Sequence, residues 1–363
     1  MAKSFPVLLM TGLIYVSGCA QLWFPEQRAV ERYVSAMSFH VEQQDFLALA
    51  ELQAAVELDQ DFSLAYSLMG DLYRQNGNLE QAVDAYENAC RIDPWDFDDH
   101  LHLGLSYQEL ERFGEALKPL LRACFLQDDH TQANYALGIC YYETEQYDDA
   151  VKYCRIAAQL APDNPIILTS LGDMYTHNDD PNQAITAFKQ ALEIDDQQVE
   201  VMIRLGATYL DLEQFAPARL IFEKAAQTQP DQSPPYLALA YCLLVEGNKQ
   251  LKWHSEQSKQ LNQTQARIHY QQALHLYQQA RQQYEAVHQI DPDNHLAHNG
   301  LGVACMMLAL HDPDQKELAQ LALQYWRRSL DLFPDQPKIV NLLEKYSNSN
   351  ASPEYVIQSK NRW

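Results

Sequence analysis

The chain is 363 residues long and carries 49 acidic against 26 basic side chains, a formal net charge of −23. A surface that acidic does not gather nucleic acid or anionic lipid through net charge. Contact with either has to come from a local feature.

The first predicted element is a leader. Residues 1–18 read MAKSFPVLLMTGLIYVSG: one basic residue, Lys3, then a mainly apolar run from Phe5 to Val16, then small residues. That order is the pattern of an export signal. The run is too short to cross a bilayer, which takes about 20 apolar residues. Val16-Ser17-Gly18-Cys19 resembles the lipobox of bacterial lipoproteins. The resemblance implies cleavage before Cys19, a diacylglycerol on its thiol and an acyl chain such as palmitate on its new amine. Two or more such chains make a stable anchor where one is marginal. Ala20, rather than Asp, after the cysteine resembles lipoproteins sorted to the outer membrane. The expectation is a signal peptide over 1–18 and a lipidated tether over 19–28. The body then sits in the bacterial envelope, at the periplasmic face of the outer membrane.

From Ala29 onward the chain repeats. Six segments of 34 residues align without a gap, starting at Ala29, Ser63, Phe97, Thr131, Pro165 and Val199. Their eighth positions are Ala36, Gly70, Gly104, Gly138, Gly172 and Gly206. The eleventh hold Phe39, Tyr73, Tyr107, Tyr141, Tyr175 and Tyr209. The twentieth and twenty-seventh are alanine in all six, and the twenty-fourth are Leu52, Tyr86, Leu120, Cys154, Phe188 and Phe222. Two helices per repeat explain this spacing. A small eighth residue lets them approach, large residues fill the space beside the contact, and alanines admit the neighbouring helix. Pro94, Pro162 and Pro230 stand where the second helix has to stop, because proline cannot donate the next hydrogen bond. A lone helix pair cannot bury its apolar faces, so the pairs must stack. The pattern resembles the tetratricopeptide repeat, which implies an all-α fold, a right-handed superhelical solenoid of antiparallel helix pairs.

Two interrupted repeats follow. The seventh, 233–294, starts with Tyr236, Leu239 and Ala240, but its second-helix marks Ala280, Tyr284, Val287 and Pro292 come 28 residues late. The eighth, 295–335, has Leu301, Gly302 and Cys305, then Ala322, Trp326 and Pro334, displaced by eight. About eight repeats therefore extend the six regular ones of 29–232. Residues 336–346 read as a capping helix. The Ser/Asn-rich tail, 347–363, reads as disordered. Inside the seventh-repeat insertion, residues 248–283 hold eleven glutamines and a net charge of +4. Ala266, Tyr270, Ala273, Tyr277, Ala280, Tyr284 and Val287 form a helical stripe there. It predicts a second helix that begins early and projects, with Lys249, Lys252, Lys259 and Arg267 as a basic docking arm. The plainer reading is an extension folded back on its own first helix, or a solvated loop.

Catalytic chemistry finds no residues to stand on. No phosphate-cradling glycine loop, Walker motif or GxSxG is present. Two of the twelve glycines leave with the signal and most others are eighth-position packing residues; Gly77, Gly114 and Gly247 read as inter-helix turns, which leaves Gly300. Paired acids such as Asp128-Asp129, Asp148-Asp149 and Asp195-Asp196 fall at helix ends, where the macrodipole accounts for them. His295 and His298 are the nearest approach to a metal pair and read as surface histidines. No catalytic residue, no metal and no cofactor is expected. Export to an oxidising space makes Cys124–Cys140 or Cys140–Cys154 a candidate disulfide, with buried free thiols as the default.

In tetratricopeptide proteins the first helices line a concave groove through positions 2, 5, 6, 9, 12 and 13. Carried over by register, these positions include Leu101, Leu105, Tyr135, Ile139 and Tyr142, with Asp98, Glu109 and Glu143 at the rim. The Lys and Asn set that grips a C-terminal carboxylate in chaperone-binding members is missing. Such a groove suits a segment with apolar anchors and basic flanks. The expected function is a non-catalytic, membrane-anchored scaffold that binds protein partners of the envelope, with no nucleic acid and no evident small-molecule substrate. It resembles outer-membrane tetratricopeptide lipoproteins that promote type IV pilus secretin assembly, serve peptidoglycan machinery or support polysaccharide export. The alternative is a chaperone-like holder of exported or outer-membrane chains.

Overall fold

Helices of 13 and 14 residues alternate through the second to sixth repeats. A computed structural model describes residues 25–260, 262–311 and 316–347. The leader, Cys19, and all but the first residue of the tail lie outside the described residues. The helices are α1 (Pro25–Val41), α2 (Asp45–Leu58), α3 (Ser63–Gln75), α4 (Leu79–Ile92), α5 (Phe97–Glu109), α6 (Phe113–Leu126), α7 (Thr131–Glu143), α8 (Tyr147–Leu160) and α9 (Pro165–His177). They continue as α10 (Pro181–Ile194), α11 (Val199–Asp211), α12 (Phe215–Thr228), α13 (Ser233–Lys259), α14 (Gln263–Ile290), α15 (His295–His311), α16 (Lys316–Leu332) and α17 (Pro337–Ser347). No strand occurs among the described residues. The fold is the all-α stack of antiparallel helix pairs that the repeat implies. It divides into two compact units after Asn178, inside the fifth 34-residue repeat.

In the first unit the packing follows the period. Ala48, Ala82, Ala116 and Ala150 at position 20, and Ala55, Ala89, Ala123 and Ala157 at position 27, are wholly buried. A methyl on Gly70 would meet the Tyr86 ring at 2.5 Å, and one on Gly104 would strike Leu120. Position 8 is thus small because position 24 lies on top of it. At Gly138 the partner is the smaller Cys154, and the helices come closer: the added methyl would meet the Cys154 backbone nitrogen at 3.0 Å. The chain leaves each first helix through a residue at position 15 with positive φ. Only Gly77 (+74°) is glycine; Gln43, Glu111 and Glu145 adopt 60°, 58° and 61°. Non-glycine residues are strained there.

The second unit repeats this plan and then departs from it. Gly206 faces Phe222 and Gly302 faces Trp326 in the same way. Asp179 and Glu213 make the left-handed turns, at 58° and 56°. In the seventh repeat both helices lengthen: α13 has 27 residues where α11 has 13, and α14 has 28 where α12 has 14. The second helix begins early, as the stripe predicts, but its projection as a lone arm is corrected to the plainer reading, an extension folded back on its own first helix. The insertion is shared equally between two helices, which zip together as a long hairpin. Ala266, Ala273, Tyr277, Ala280, Tyr284 and Val287 are buried, so the stripe exists to seal this hairpin. The expected turn at Gly247 is corrected too. Helix α13 runs through it, and Gly247 instead admits the Tyr277 ring, whose hydroxyl donates to Asn248 Oδ1 at 2.7 Å. Gly300 does the same for Tyr284. The two insertions also meet each other: Tyr270 donates to the His311 carbonyl at the end of α15 at 2.5 Å. Helix α17 covers the last apolar face through the buried Ile339. Gln336 ties it down, accepting from Asn299 at 2.7 Å.

Candidate functional site

Helix α7 presents Tyr135, Ile139 and Tyr142 along one face, at the i, i+4 and i+7 spacing of a helical stripe, and all three are half-buried. Tyr135 shares a hydrogen bond of 3.0 Å with the Ser170 hydroxyl on α9. Burial raises the pKa of the Tyr135 phenol, so it stays neutral there. Tyr142 packs edge-on to His177 with ring centroids 5.2 Å apart, and both rings lie against Tyr147, at 5.8 and 5.5 Å. The result is a face of aromatic and aliphatic carbon beside Glu143 and Asp173. Rigid, half-exposed tyrosines lose little entropy on binding, which suits a hot spot for an apolar anchor.

The other two groove residues behave differently. Leu101 is 4% exposed and Leu105 is 9% exposed. Both are packed into the repeat stack, so their placement on an open groove is corrected. The physical reason is the neighbourhood: beside them Asp99 is itself 3% exposed, accepting from Ser67 Oγ at 2.8 Å across two repeats. Burial, with Asp96 and Asp71 nearby, pushes the Asp99 carboxyl up to about 7, against the opposing effect of the Ser67 bond and His102. Asp71 in turn accepts from Tyr86 at 2.6 Å and lies 3.2 Å from His102 Nδ1. A polar network thus links α3, α4 and α5, buried at Asp99 and open to solvent at Asp71.

An exposed apolar surface occurs instead at α1. Val30, Val34, Met37 and Val41 are 46% to 81% exposed, and Phe46 and Leu47 beside the turn and Leu64 on α3 are exposed too. These four occupy positions 2, 6, 9 and 13 of the first repeat. Extending the register by one repeat finds them in the sequence; the pattern alone does not say that they stay uncovered.

The basic arm is reduced. Lys249 forms an ion pair of 2.5 Å with Glu213, leaving Lys252, Lys259 and Arg267 exposed. Ring contacts of Trp253 with His269 and of His254 with Tyr270 hold the hairpin's two strands of helix together. The disulfide candidates are corrected: Cys124, Cys140 and Cys154 are free and buried. Burial pushes their thiols up to about 11, 12 and 12. Cys154 serves as the small packing residue opposite Gly138 and donates weakly to the Ile167 carbonyl at 3.7 Å. His298 is buried rather than at the surface, bonded to the Pro292 carbonyl at 2.9 Å, while His295 packs on Phe333. Among the described residues no group of three His, Cys, Asp or Glu side chains is placed to hold a metal ion.

Three family models match the chain: a TPR repeat over residues 70–111, and tetratricopeptide repeats over 129–197 and 175–241. No curated protein matches the sequence. Solved structures with a similar fold include the MamA protein, 22% identical over 46% of this chain and 92% of that one, with a TM-score of 0.45. Another is YrrB, described as a TPR protein with an unusual peptide-binding site, at 22% identity over 51% and 95% with a TM-score of 0.47. MamA from Desulfovibrio magneticus RS-1 is 20% identical over 47% and 97%, with a TM-score of 0.43.

Proposed function

We propose that this tetratricopeptide-repeat protein is a non-catalytic, lipid-anchored scaffold of the bacterial envelope that holds a partner segment on the face of α7. Tetratricopeptide repeats are in general interaction modules rather than enzymes, and repeat packing accounts for most of the motif residues in this chain. The observation that carries the reading is the set Tyr135, Ile139 and Tyr142: three adjacent, half-exposed, pre-oriented side chains beside Glu143 and Asp173. A partner segment with one or two large apolar anchors and a Lys or Arg flank fits that chemistry. The lipobox-like Val16-Ser17-Gly18-Cys19 supports the anchor, and Ala20 supports the periplasmic face of the outer membrane. A pilus secretin, peptidoglycan machinery or a polysaccharide exporter is the kind of assembly such a scaffold serves.

Affinity purification from detergent-solubilised envelopes tests this, with wild type beside a Tyr135→Asp/Ile139→Asp/Tyr142→Asp variant. One stoichiometric partner that vanishes with the variant supports the scaffold. Many unrelated chains, retained weakly, would support a chaperone-like holder instead, and an unchanged partner list removes the α7 face from the account.

A further inference from the structure

The exposed stripe on α1 is hard to explain as unfinished packing. On that helix the positions that every later repeat buries against its predecessor are 3, 7 and 10, as at Ala65, Met69 and Leu72. In the first repeat they are Glu31, Ser35 and Ser38, polar and exposed. Such a polar outer face is how a terminal repeat caps a solenoid. No further repeat is meant to cover α1 there. Yet one side round the same helix stand Val30, Val34, Met37 and Val41, at i, i+4, i+7 and i+11, none less than 46% exposed. Phe46, at 84% exposure, continues the surface past the turn. Helix α1 thus has three faces: Ala29 and Ala36 toward the core, a polar cap, and an open apolar stripe.

Chain length says what lies opposite that stripe. Five residues, hence six Cα-to-Cα steps, separate Cys19 from Pro25, the first residue of α1. Fully extended they span no more than about 22 Å. With Cys19 acylated, as proposed above, α1 is confined to the immediate neighbourhood of the bilayer surface. The intervening residues include Leu22, Trp23 and Phe24, the residue types that lodge at a membrane interface. None of the described helices is long and apolar enough to cross a membrane. An amphipathic helix with an apolar stripe, tethered beside lipid, lies in the interface plane.

We infer that α1 is a second membrane contact, seated in the bilayer interface through Val30, Val34, Met37 and Val41, and that it fixes the orientation of the repeats over the membrane. This rests on the lipid-anchor reading. Glu26, Glu31, Glu42 and Asp45 outnumber Arg28 and Arg32 around the stripe, and Arg32 is already paired with Glu51 at 2.8 Å. The contact is therefore apolar insertion, insensitive to salt, rather than attraction to anionic headgroups.

The test reconstitutes the processed, acylated protein in phosphatidylethanolamine–phosphatidylglycerol vesicles with a nitroxide at Val34→Cys, Met37→Cys or Val41→Cys, and at Ser35→Cys or Ser38→Cys for comparison. The described cysteines are buried or half-buried, so labelling favours the introduced thiol. The ratio of oxygen to water-soluble nickel accessibility should be several-fold higher at 34, 37 and 41 than at 35 and 38, and unchanged in high salt. A Val34→Asp/Met37→Asp/Val41→Asp protein should stay vesicle-bound through Cys19, while a nitroxide at Val30→Cys in that background becomes water-accessible. Acylated Cys19 with equal accessibility at all five positions would overturn the inference and leave the anchor standing. Protection at 34, 37 and 41 only when another envelope protein is added would also overturn it. Absence of acyl mass on Cys19 would remove the anchor reading and this inference together.

Discussion

The regular repeats and the expanded seventh repeat solve one packing problem in two ways. In the regular repeats, position 15 is where the first helix ends, and the backbone turns left-handed through Gly77 or through a strained Glu111, Glu145 or Glu213. In the seventh repeat the same position is Gly247, and the helix continues through it. The difference lies downstream. Where the next residues begin a new amphipathic helix, the chain must turn; where Leu251 and the stripe from Ala266 offer a partner for four further turns, it does not. A glycine is permissive of a turn and does not dictate one. What decides is whether continued helix has apolar surface to bury.

The largest effect that would break the comparison comes from the hairpin's closure. Tyr277 is fully buried against Gly247. Tyr277→Ala should cost about 3–5 kcal/mol in the second unit, and hydrogen exchange should show α13 and α14 opening beyond Gly247 while α11 and α12 stay protected. Loss of protection spread evenly through α11 and α12 would mean that the hairpin is not a separable addition.

Next comes the buried carboxyl of the third repeat. Asp99 has its folded pKa raised to about 7, mainly by burial, from an unfolded value near 3.8. The unfolded chain therefore gives up its proton first, and stability falls as pH rises from about 4 toward 7. Asp99→Asn can still accept from Ser67 without a charge. Relative to wild type it should gain on the order of 2 kcal/mol between pH 5 and pH 8, read as a shift in urea midpoint. A constant difference between the two pH values would show Asp99 to be charged in the fold.

Smaller still is the contact at Gly138. Its added methyl meets the Cys154 backbone nitrogen at 3.0 Å, whereas at Gly70 it overlaps the buried, hydrogen-bonded Tyr86 ring at 2.5 Å. Gly138→Ala should cost about 1–3 kcal/mol and less than Gly70→Ala, in thermal unfolding of otherwise identical proteins. The smallest effect has the opposite sign: Glu145→Gly should stabilise by about 1 kcal/mol by relieving a left-handed turn. If it destabilises, the turns of the regular repeats are not strained.

The period was readable because packing wrote it. Alanines at positions 20 and 27 and a small residue at 8 follow from helices in contact, and those positions are where the structure puts its core. The groove was less readable. Register tells which side of a helix a residue stands on, and it grouped Leu101 and Leu105 with Tyr135, Ile139 and Tyr142. It does not tell how deep the neighbouring repeat has closed over that side. Leu101 and Leu105 are buried beside the Ser67–Asp99 bond between α3 and α5, while Tyr135 and Tyr142 stay half-exposed. The α1 stripe sits at the same register positions and was missed because no contact pattern marks a surface that protein leaves open. Equal sharing of the insertion between α13 and α14 was hidden likewise, since Lys249, Lys252 and the glutamines of α13 carry no strong apolar stripe of their own.

The most direct test of the central claim is a photo-crosslinking amino acid placed at Ile139 in living cells, with Leu220, exposed on a second helix, as the control. The account predicts one discrete protein adduct at Ile139, lost in the presence of Tyr135→Asp and Tyr142→Asp, and none at Leu220. Adducts at Leu220 with none at Ile139 would contradict it, because the face that binds would then not be that of α7.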